Sequence, residues 1–329
     1  MESEKFSTRL TIIMIVFALI LSSGPAMAGK TLILGECDTV GSLINRTNKK
    51  FVELATERAD GKIKINHIAG SQLGNDVQVI EQMMQGAIQM YGDVLAWYAN
   101  WENGFNILNW GFTFDGPDHV QRFIDSPIFE EIAGNLRDSQ GIHILAAAPT
   151  QPRILFANKR INSPADLTGL KMRVPDIRTY VLLWQTLGTR PSRVAWSEVF
   201  LGLKTGTVEA AEGPSDPASA QKFHVAAPKI MLTNHVMSTI HVGINAKVFD
   251  SLDTELQGIL TQAAKDAVSW ARTEAQKSDE AVLAKMKAEG ATLYDVDTAP
   301  FAEKAKSGVE TMEKDGVWPK GLWEKIRAL

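Results

Sequence analysis

The stretch LTGLKMRVP, residues 167–175, places an arginine inside a short apolar segment that ends at a proline. Apolar residues alternate with Lys171 and Arg173, which predicts a half-buried strand with both cations on one face. A guanidinium at a strand end is a permanently charged fork that can hold a carboxylate through two parallel hydrogen bonds. Because ligand clefts in α/β proteins lie at the ends of strands, the stretch predicts that Arg173 binds an anion. The alternative is a salt bridge from Arg173 to an acidic residue at a domain surface.

Strand-like runs and helix-period segments alternate on both sides of this stretch. Thr31–Glu36 and Lys62–Ile68 are predicted strands, and Ser42–Arg58 between them is a predicted helix. The pattern restarts near residue 150, where Arg153 lies on a strand-like run and can face the same space as Arg173. Repeated β-α-β order in a chain of 329 residues predicts two α/β domains with mostly parallel sheets.

A much longer helix is predicted near the C-terminus. Helical periodicity begins after Ser251-Leu-Asp253, a good N-cap, and continues to about Glu289, just before Gly290. At about 1.5 Å per residue, some 36 residues reach roughly 54 Å, which exceeds the diameter of one small domain. The sequence therefore predicts a helix that spans both domains as a brace.

The first residues have the pattern of a secretory signal peptide. Lys5 and Arg9 precede the 12-residue apolar run Leu10–Leu21, and Ala26-Met-Ala28 fits the small-x-small cleavage pattern. An uncleaved membrane anchor is the alternative, but 12 residues are too few to span a bilayer. We therefore expect residues 1–28 to be removed and the mature chain, 29–329, to be soluble and exported.

Composition argues against several classes of function. A net charge of −4 gives no support for binding nucleic acid or an anionic membrane. Cys37 is the single cysteine, so no intramolecular disulfide and no thiolate metal cluster can form. The six histidines have no metal-ligand spacing, and no P-loop, dinucleotide-binding or hydrolase motif occurs. We expect no catalytic residues, no metal and no cofactor, with an unrecognised hydrolase as the alternative because triads assemble in space.

Several motifs, in order along the chain, resemble those of the periplasmic solute-binding subunits of TRAP (tripartite ATP-independent periplasmic) transporters. The matching segments are Gly70-Ser-Gln-Leu-Gly74, Gly86-Ala-Ile-Gln-Met90, Ser163–Pro175, Gly188-x-x-Pro191, Trp196-Ser-Glu-Val-Phe200, Leu203-x-x-Gly206 and Val208-Glu-Ala-Ala-Glu-Gly-Pro214. Each segment alone is weak evidence for this family, but the set of segments in this order is specific for it and covers essentially the whole mature chain.

The resemblance implies a fold and a role for two arginines. It implies two hinged α/β lobes with a long helix spanning both, which close around a ligand. The predicted lobes are residues 29–150 plus 239–278 and residues 151–238 plus 279–329. In such proteins the arginine matching Arg173 forms a salt bridge with the carboxylate of the solute, and the one matching Arg153 assists.

One departure from the family pattern concerns the ligand. The family commonly has Glu-Asn-Pro where this chain has Glu212-Gly213-Pro214, and a glycine cannot supply the amide of asparagine. We expect open space at Gly213, and a ligand whose body there is bulkier or less polar than a small dicarboxylate or sugar acid. Trp97, Trp101, Trp184 and Trp196 are candidates to line that space, with core packing as the alternative for each. Gln72, in the early motif, and Glu212 complete the predicted binding residues.

The sequence thus predicts an exported, periplasmic protein that binds an organic carboxylate, and the resemblance implies a monomer that delivers this ligand to TRAP membrane permease subunits. Two other functions remain open. A periplasmic binding protein that senses its ligand for a membrane receptor would share the fold and the arginine. A periplasmic enzyme would convert its substrate, whereas a binding protein returns the ligand unchanged.

Overall fold

A computed structural model of the protein describes residues 30–329, so the predicted signal peptide, 1–28, lies outside the described residues. In that range the strands are Lys30–Gly35 (β1), Ile63–Ile68 (β2), Met90–Asp93 (β3), Ile142–Ala157 (β4), Lys171–Val174 (β5), Arg190–Arg193 (β6), Ala210–Pro214 (β7), Lys229–Asn245 (β8) and Thr292–Tyr294 (β9). The α-helices are Leu43–Arg58 (α1), Asp76–Gln85 (α2), Pro117–Ile124 (α3), Pro127–Gln140 (α4), Arg178–Thr186 (α5), Val199–Thr205 (α6), Ser215–Ala220 (α7), Phe223–Ala226 (α8), Ala246–Asp250 (α9), Thr254–Ala288 (α10), Ala299–Lys306 (α11), Val309–Lys314 (α12) and Leu322–Arg327 (α13). None of the helices in the described range is long and apolar enough to cross a bilayer.

The described strands form one sheet with two parallel blocks, one in each lobe. Along the sheet the order is β2-β1-β3-β8-β4-β7-β5-β6, and β9 adds to β8. In the first lobe β1 runs parallel to β2 and β3, and in the second β5 runs parallel to β6 and β7. The long strands β4 and β8 pair antiparallel to each other and connect the two blocks. The sheet is therefore mixed, and the prediction of mostly parallel sheets holds only within each lobe.

The connection between the lobes is irregular in register. The β4–β8 ladder shifts between Pro149 and Pro152, because a proline has no backbone N–H to donate to its neighbour. On one side of this break β8 pairs with β3, and on the other side β4 pairs with β7. The chain thus has two lobes joined through the middle of two long strands, while the residue boundaries of the lobes stay a prediction.

The long helix α10 contributes to the cores of both lobes. Asp253 caps its N-terminus by accepting a hydrogen bond from the backbone N–H of Leu256. Its 35 residues include a stripe of buried alanines that packs with α1 and β1 in the first core. Met286, near the other end, is buried with Phe156 and Phe223 in the second core. One continuous helix therefore braces the two lobes, as predicted.

Candidate functional site

A cavity that is partly open to solvent lies between the lobes, with about 500 Å³ of space free of protein atoms when its open side is included. It is formed at the carboxyl ends of β1, β3, β5 and β7, where ligand sites of α/β proteins occur. Its lining residues are Cys37, Asp38, Ile44, Asp76, Asp93, Val94, Ala96, Trp97, Arg153, Arg173, Pro175, Ile177, Tyr180, Trp196, Pro214 and Pro217. Four of the predicted binding residues, Arg173, Arg153, Trp196 and Trp97, are among them.

Arg173 is a buried cation with an unused hydrogen-bond donor. Its side chain is only 1% exposed, and its Nε donates to the carbonyl oxygen of Val194 at 2.9 Å. Its Nη1 is buried and has no partner among the described residues. Burial and the nearby charge of Arg153 lower the pKa of Arg173 to about 10, against the opposing effect of Glu212, so the guanidinium stays charged at neutral pH. A charged donor left unpaired in a dry site costs stability that an anionic ligand can recover.

Arg153 is held by an internal carboxylate. Its Nε and Nη2 both donate to the Glu212 carboxylate, with 2.7 Å between Nη2 and Oε1, and both residues are buried. Burial alone would raise the pKa of Glu212, but the charge of Arg153 and hydrogen bonds from Arg153 and His235 lower it to about 2. Tyr180 lies against Arg153, whose guanidinium carbon is 5.2 Å from the ring centroid. Arg153 lines the cavity and Glu212 does not. Glu212 instead neutralises the charge of Arg153 and orients its guanidinium.

The first lobe supplies an acidic wall that the sequence reasoning did not identify. Asp38 follows β1, Asp93 ends β3 and Asp76 begins α2, and all three are buried and line the cavity. Asp93 accepts hydrogen bonds from the backbone N–H groups of Cys37 and Val94 at 3.2 and 2.8 Å. Burial raises the pKa of each of the three carboxyls, that of Asp38 to about 7. The sequence could have predicted Asp38 and Asp93 as cavity residues, because both lie at the carboxyl ends of parallel strands.

The remaining predicted residues lie outside the cavity lining. Gln72 is exposed in the loop between β2 and α2. Trp101 is half-buried, and Trp184 is buried in the core, where its ring lies 5.2 Å from that of His235. Core packing, the stated alternative, therefore describes Trp184.

Gly213 does not open space. A Cβ atom built on Gly213 would lie 3.0 Å from Cη2 and 3.3 Å from Cζ3 of Trp196, which is closer than ordinary van der Waals contact. The volume of a side chain at this position is thus filled by the indole ring. The expectation of open space at Gly213 is wrong, because Trp196, from the segment between β6 and α6, packs against this residue of β7.

Polar contacts cross from one lobe to the other at the rim of the cavity. The indole Nε1–H of Trp196 donates to Asp38 at 2.9 Å, and Thr39 Oγ1 donates to the side-chain oxygen of Gln221 at 2.6 Å. Nearby, Asp216 accepts from the backbone N–H of Leu43 and pairs with Arg46 at 3.2 Å. These contacts hold the lobes against each other beside Arg173.

Asp38 should make the stability of the ligand-free protein depend on pH. Because burial raises its pKa to about 7, the folded state keeps a proton that the unfolded chain has lost between about pH 4 and 7. The contribution of this group to stability is therefore present at low pH and is lost as pH rises through 7. In urea titrations, the free energy of unfolding of the wild type should fall as the pH rises from 5 to 8. In Asp38→Asn this fall should be smaller by about 1 kcal/mol or more. Asp138→Asn, an exposed control on α4, should follow the wild type; a wild-type slope in Asp38→Asn would contradict the prediction.

In residues 30–329, no three His, Cys, Asp or Glu side chains are grouped so that they could hold a metal ion.

Comparisons with known proteins match nearly the whole described chain. The sequence model of the family described as "Bacterial extracellular solute-binding protein, family 7" matches residues 35–315. The 2,3-diketo-L-gulonate-binding periplasmic protein of Escherichia coli K12 is 27% identical over 266 residues, 80% of this chain and 81% of that protein. A TRAP periplasmic solute-binding protein of Roseobacter denitrificans, solved with bound β-D-glucuronate, superposes with a TM-score of 0.87 at 25% identity, covering 91% of this chain and 99% of that one. A second protein from that organism, with bound L-galactonate, gives a TM-score of 0.85 at 26% identity, covering 92% and 100%.

Proposed function

Since this chain belongs to family 7 of the bacterial extracellular solute-binding proteins, the periplasmic solute-binding proteins of TRAP transporters, we propose that it binds a hydroxylated monocarboxylic acid between its lobes. We further propose that the lobes close on the ligand and that the closed protein delivers it to the TRAP permease. One observation carries the ligand proposal. Arg173, buried at the cavity between the lobes, has a charged N–H donor with no partner in residues 30–329.

In this proposal Arg173 holds the carboxylate. Charge-assisted hydrogen bonds contribute about 1.5–3 kcal/mol each, and a bidentate pair therefore supplies several kcal/mol of the roughly 8 kcal/mol that micromolar binding requires. Arg153, kept in place by Glu212, adds a second positive edge to the same pocket. Trp97 and Trp196 provide apolar surface for the body of the ligand.

The balance of charge in the cavity favours one carboxylate on the ligand. Glu212 neutralises Arg153, so Arg173 is the cation of the described lining without an acidic partner. The opposite wall carries Asp38, Asp76 and Asp93, whose carboxyl groups can hydrogen-bond to hydroxyl groups of a ligand. A second carboxylate would lie against this acidic wall. Three of the acids named for relatives, diketogulonate, glucuronate and galactonate, each have one carboxylate and several hydroxyl groups, whereas one relative, 27% identical over 246 residues, is named for C4-dicarboxylates, which have two carboxylates.

A ligand panel tests the proposed class. We expect glucuronate or galactonate to bind with micromolar affinity and succinate or malate at least about 30-fold more weakly, since the second carboxylate of a dicarboxylate would be buried at the acidic wall without a cation to pair with. Isothermal titration calorimetry at neutral pH measures both. Equal affinity for mono- and dicarboxylates would contradict the assignment of the acidic wall.

An acid with an apolar or aromatic body is the second candidate ligand. The lining residues Ile44, Pro175, Ile177 and Tyr180, with the two tryptophans, support it because they offer little hydrogen bonding along the sides of the cavity. Phenylacetate belongs in the same panel for this reason. If it bound more tightly than the sugar acids, this candidate would replace the first.

We place the mature protein in the periplasm, which the predicted signal peptide supports, and we propose a monomer, which the family resemblance implies. The alternatives are a ligand sensor for a membrane receptor and an enzyme. Mass spectrometry of ligand recovered after denaturation separates the enzyme, because a binding protein releases its solute unchanged. Co-purification with the permease subunits from detergent extracts separates transport from sensing.

A further inference from the structure

The side chain of Trp196 makes three contacts besides lining the cavity. Its ring lies beside the guanidinium of Arg173, with 5.4 Å from Cζ to the ring centroid. Its other neighbour is Phe223, whose ring centroid is 4.8 Å away. The indole N–H donates across the cavity rim to Asp38 of the first lobe. The side chain thus joins the anion-binding arginine of one lobe to an acid of the other.

The position of this ring depends on the missing side chain at residue 213. The Cβ of any other residue there would lie 3.0 and 3.3 Å from two carbon atoms of the six-membered ring of the indole. Those atoms lie at the end of a ring that Phe223 and Arg173 contact, so the ring has little freedom to move away. A shift of the ring would lengthen the hydrogen bond of 2.9 Å to Asp38.

We propose that Trp196 and Gly213 act as one unit that fixes ligand affinity. Because Gly213 has no side chain, the indole of Trp196 can pack against its backbone, and in that position the indole N–H donates to Asp38 and bonds the second lobe to the first. This inference rests on the proposed function and adds to it the residue pair that couples carboxylate binding to contact between the lobes. Trp196 acts here by positioning Arg173 and the opposite lobe. The pair therefore controls how long a bound acid stays.

Two substitutions and their combination test the unit. Trp196→Phe keeps an aromatic ring but removes the N–H donor and the atoms that meet a Cβ at residue 213. Gly213→Ala adds one methyl group, and the backbone of Gly213 does not lie in the left-handed region, so alanine is not strained. We expect each single variant to bind glucuronate or galactonate about tenfold more weakly, through faster dissociation at an unchanged association rate. We expect the double variant to bind no more weakly than Trp196→Phe alone, because the clash is gone.

Matched controls separate this unit from general loss of structure. Trp270→Phe makes the same chemical change on α10, and Gly134→Ala adds a methyl group where a Cβ would meet nothing within 4 Å. Both controls should bind like the wild type, and the ligand-free thermal midpoints of all variants should agree within a few degrees. Losses that multiply in the double variant, or wild-type affinity in Trp196→Phe, would overturn the inference while leaving the proposed function standing. Absence of acid binding by the wild type would instead overturn the proposed function, and this inference with it.

Discussion

Arg173→Ala should abolish detectable binding of the acid, weakening it by at least about 100-fold. Arg173 is 1% exposed and contributes an unpaired charged donor to the cavity, so alanine removes both of the proposed hydrogen bonds to the carboxylate and the positive charge that faces it. Two charge-assisted bonds at about 1.5–3 kcal/mol each correspond to a factor of 100 or more. Arg173→Lys should recover only part of the affinity, because an ammonium cannot form the two parallel bonds of a guanidinium. Calorimetry with the tightest acid of the panel measures all three proteins.

The control for this experiment is Arg190→Ala. Arg190 is exposed on β6, the strand next to Arg173 in the sheet, and its removal changes the net charge equally. It should leave affinity unchanged and so exclude a general electrostatic effect. The ligand-free Arg173→Ala protein should be at least as stable as the wild type, since the substitution removes a buried charge that has no acidic partner among the described residues. Unchanged affinity in Arg173→Ala would show that the carboxylate binds elsewhere.

Glu212→Ala should destabilise the folded protein by about 3–5 kcal/mol. The substitution leaves Arg153, itself 6% exposed, as a buried cation without its carboxylate partner. Because Arg153 lowers the pKa of Glu212 to about 2, against the effect of burial, the contribution of Glu212 is fully present above its ordinary pKa near 4.5. That contribution is lost as pH falls toward 2, so the difference between wild type and variant should shrink in acid. The free energy of unfolding in urea at pH 7 and pH 3 measures both effects.

Two further variants make the Glu212 result specific. Glu255→Ala removes an exposed ion pair with Lys62 at 2.6 Å and should cost less than about 1 kcal/mol, since solvent screens such pairs. The double variant Arg153→Met/Glu212→Met should regain most of the stability by replacing a buried pair with apolar side chains. It should nevertheless bind the acid more weakly, because the second positive edge of the pocket is gone. A loss below 1 kcal/mol in Glu212→Ala would show that the pair is not a structural support.

The interlobe contacts explain why Trp196 and Asp38 matter beyond their place in the lining. A ligand bound to Arg173 alone would touch one lobe. The hydrogen bond from Trp196 to Asp38 ties that lobe to the other, so under the proposed closure part of the free energy of binding would be realised only when the lobes meet. This arrangement is consistent with the proposed capture by closure.

Periodicity and local motifs determined much of this protein from sequence alone. The strand at residues 171–174, the helix α1 and the long brace α10 all follow from the spacing of apolar residues and from caps, which depend only on near neighbours. The alternation around Arg173 likewise identified a charged residue on a short strand end. The family resemblance rested on ordered segments of the same local kind.

Tertiary structure decided which charges and rings meet. Glu212 neutralises Arg153 from 59 residues away, and Trp196 reaches Asp38 across 158 residues, so no local pattern reveals either pairing. The ring of Trp196 fills the space that the sequence left open at Gly213. Trp184 lies in the core and Trp97 lines the cavity, although three apolar residues precede each of them in the sequence. Side chains alternate along a strand by geometry, but their partners depend on how separate strands and loops pack against one another, and only the folded chain sets that.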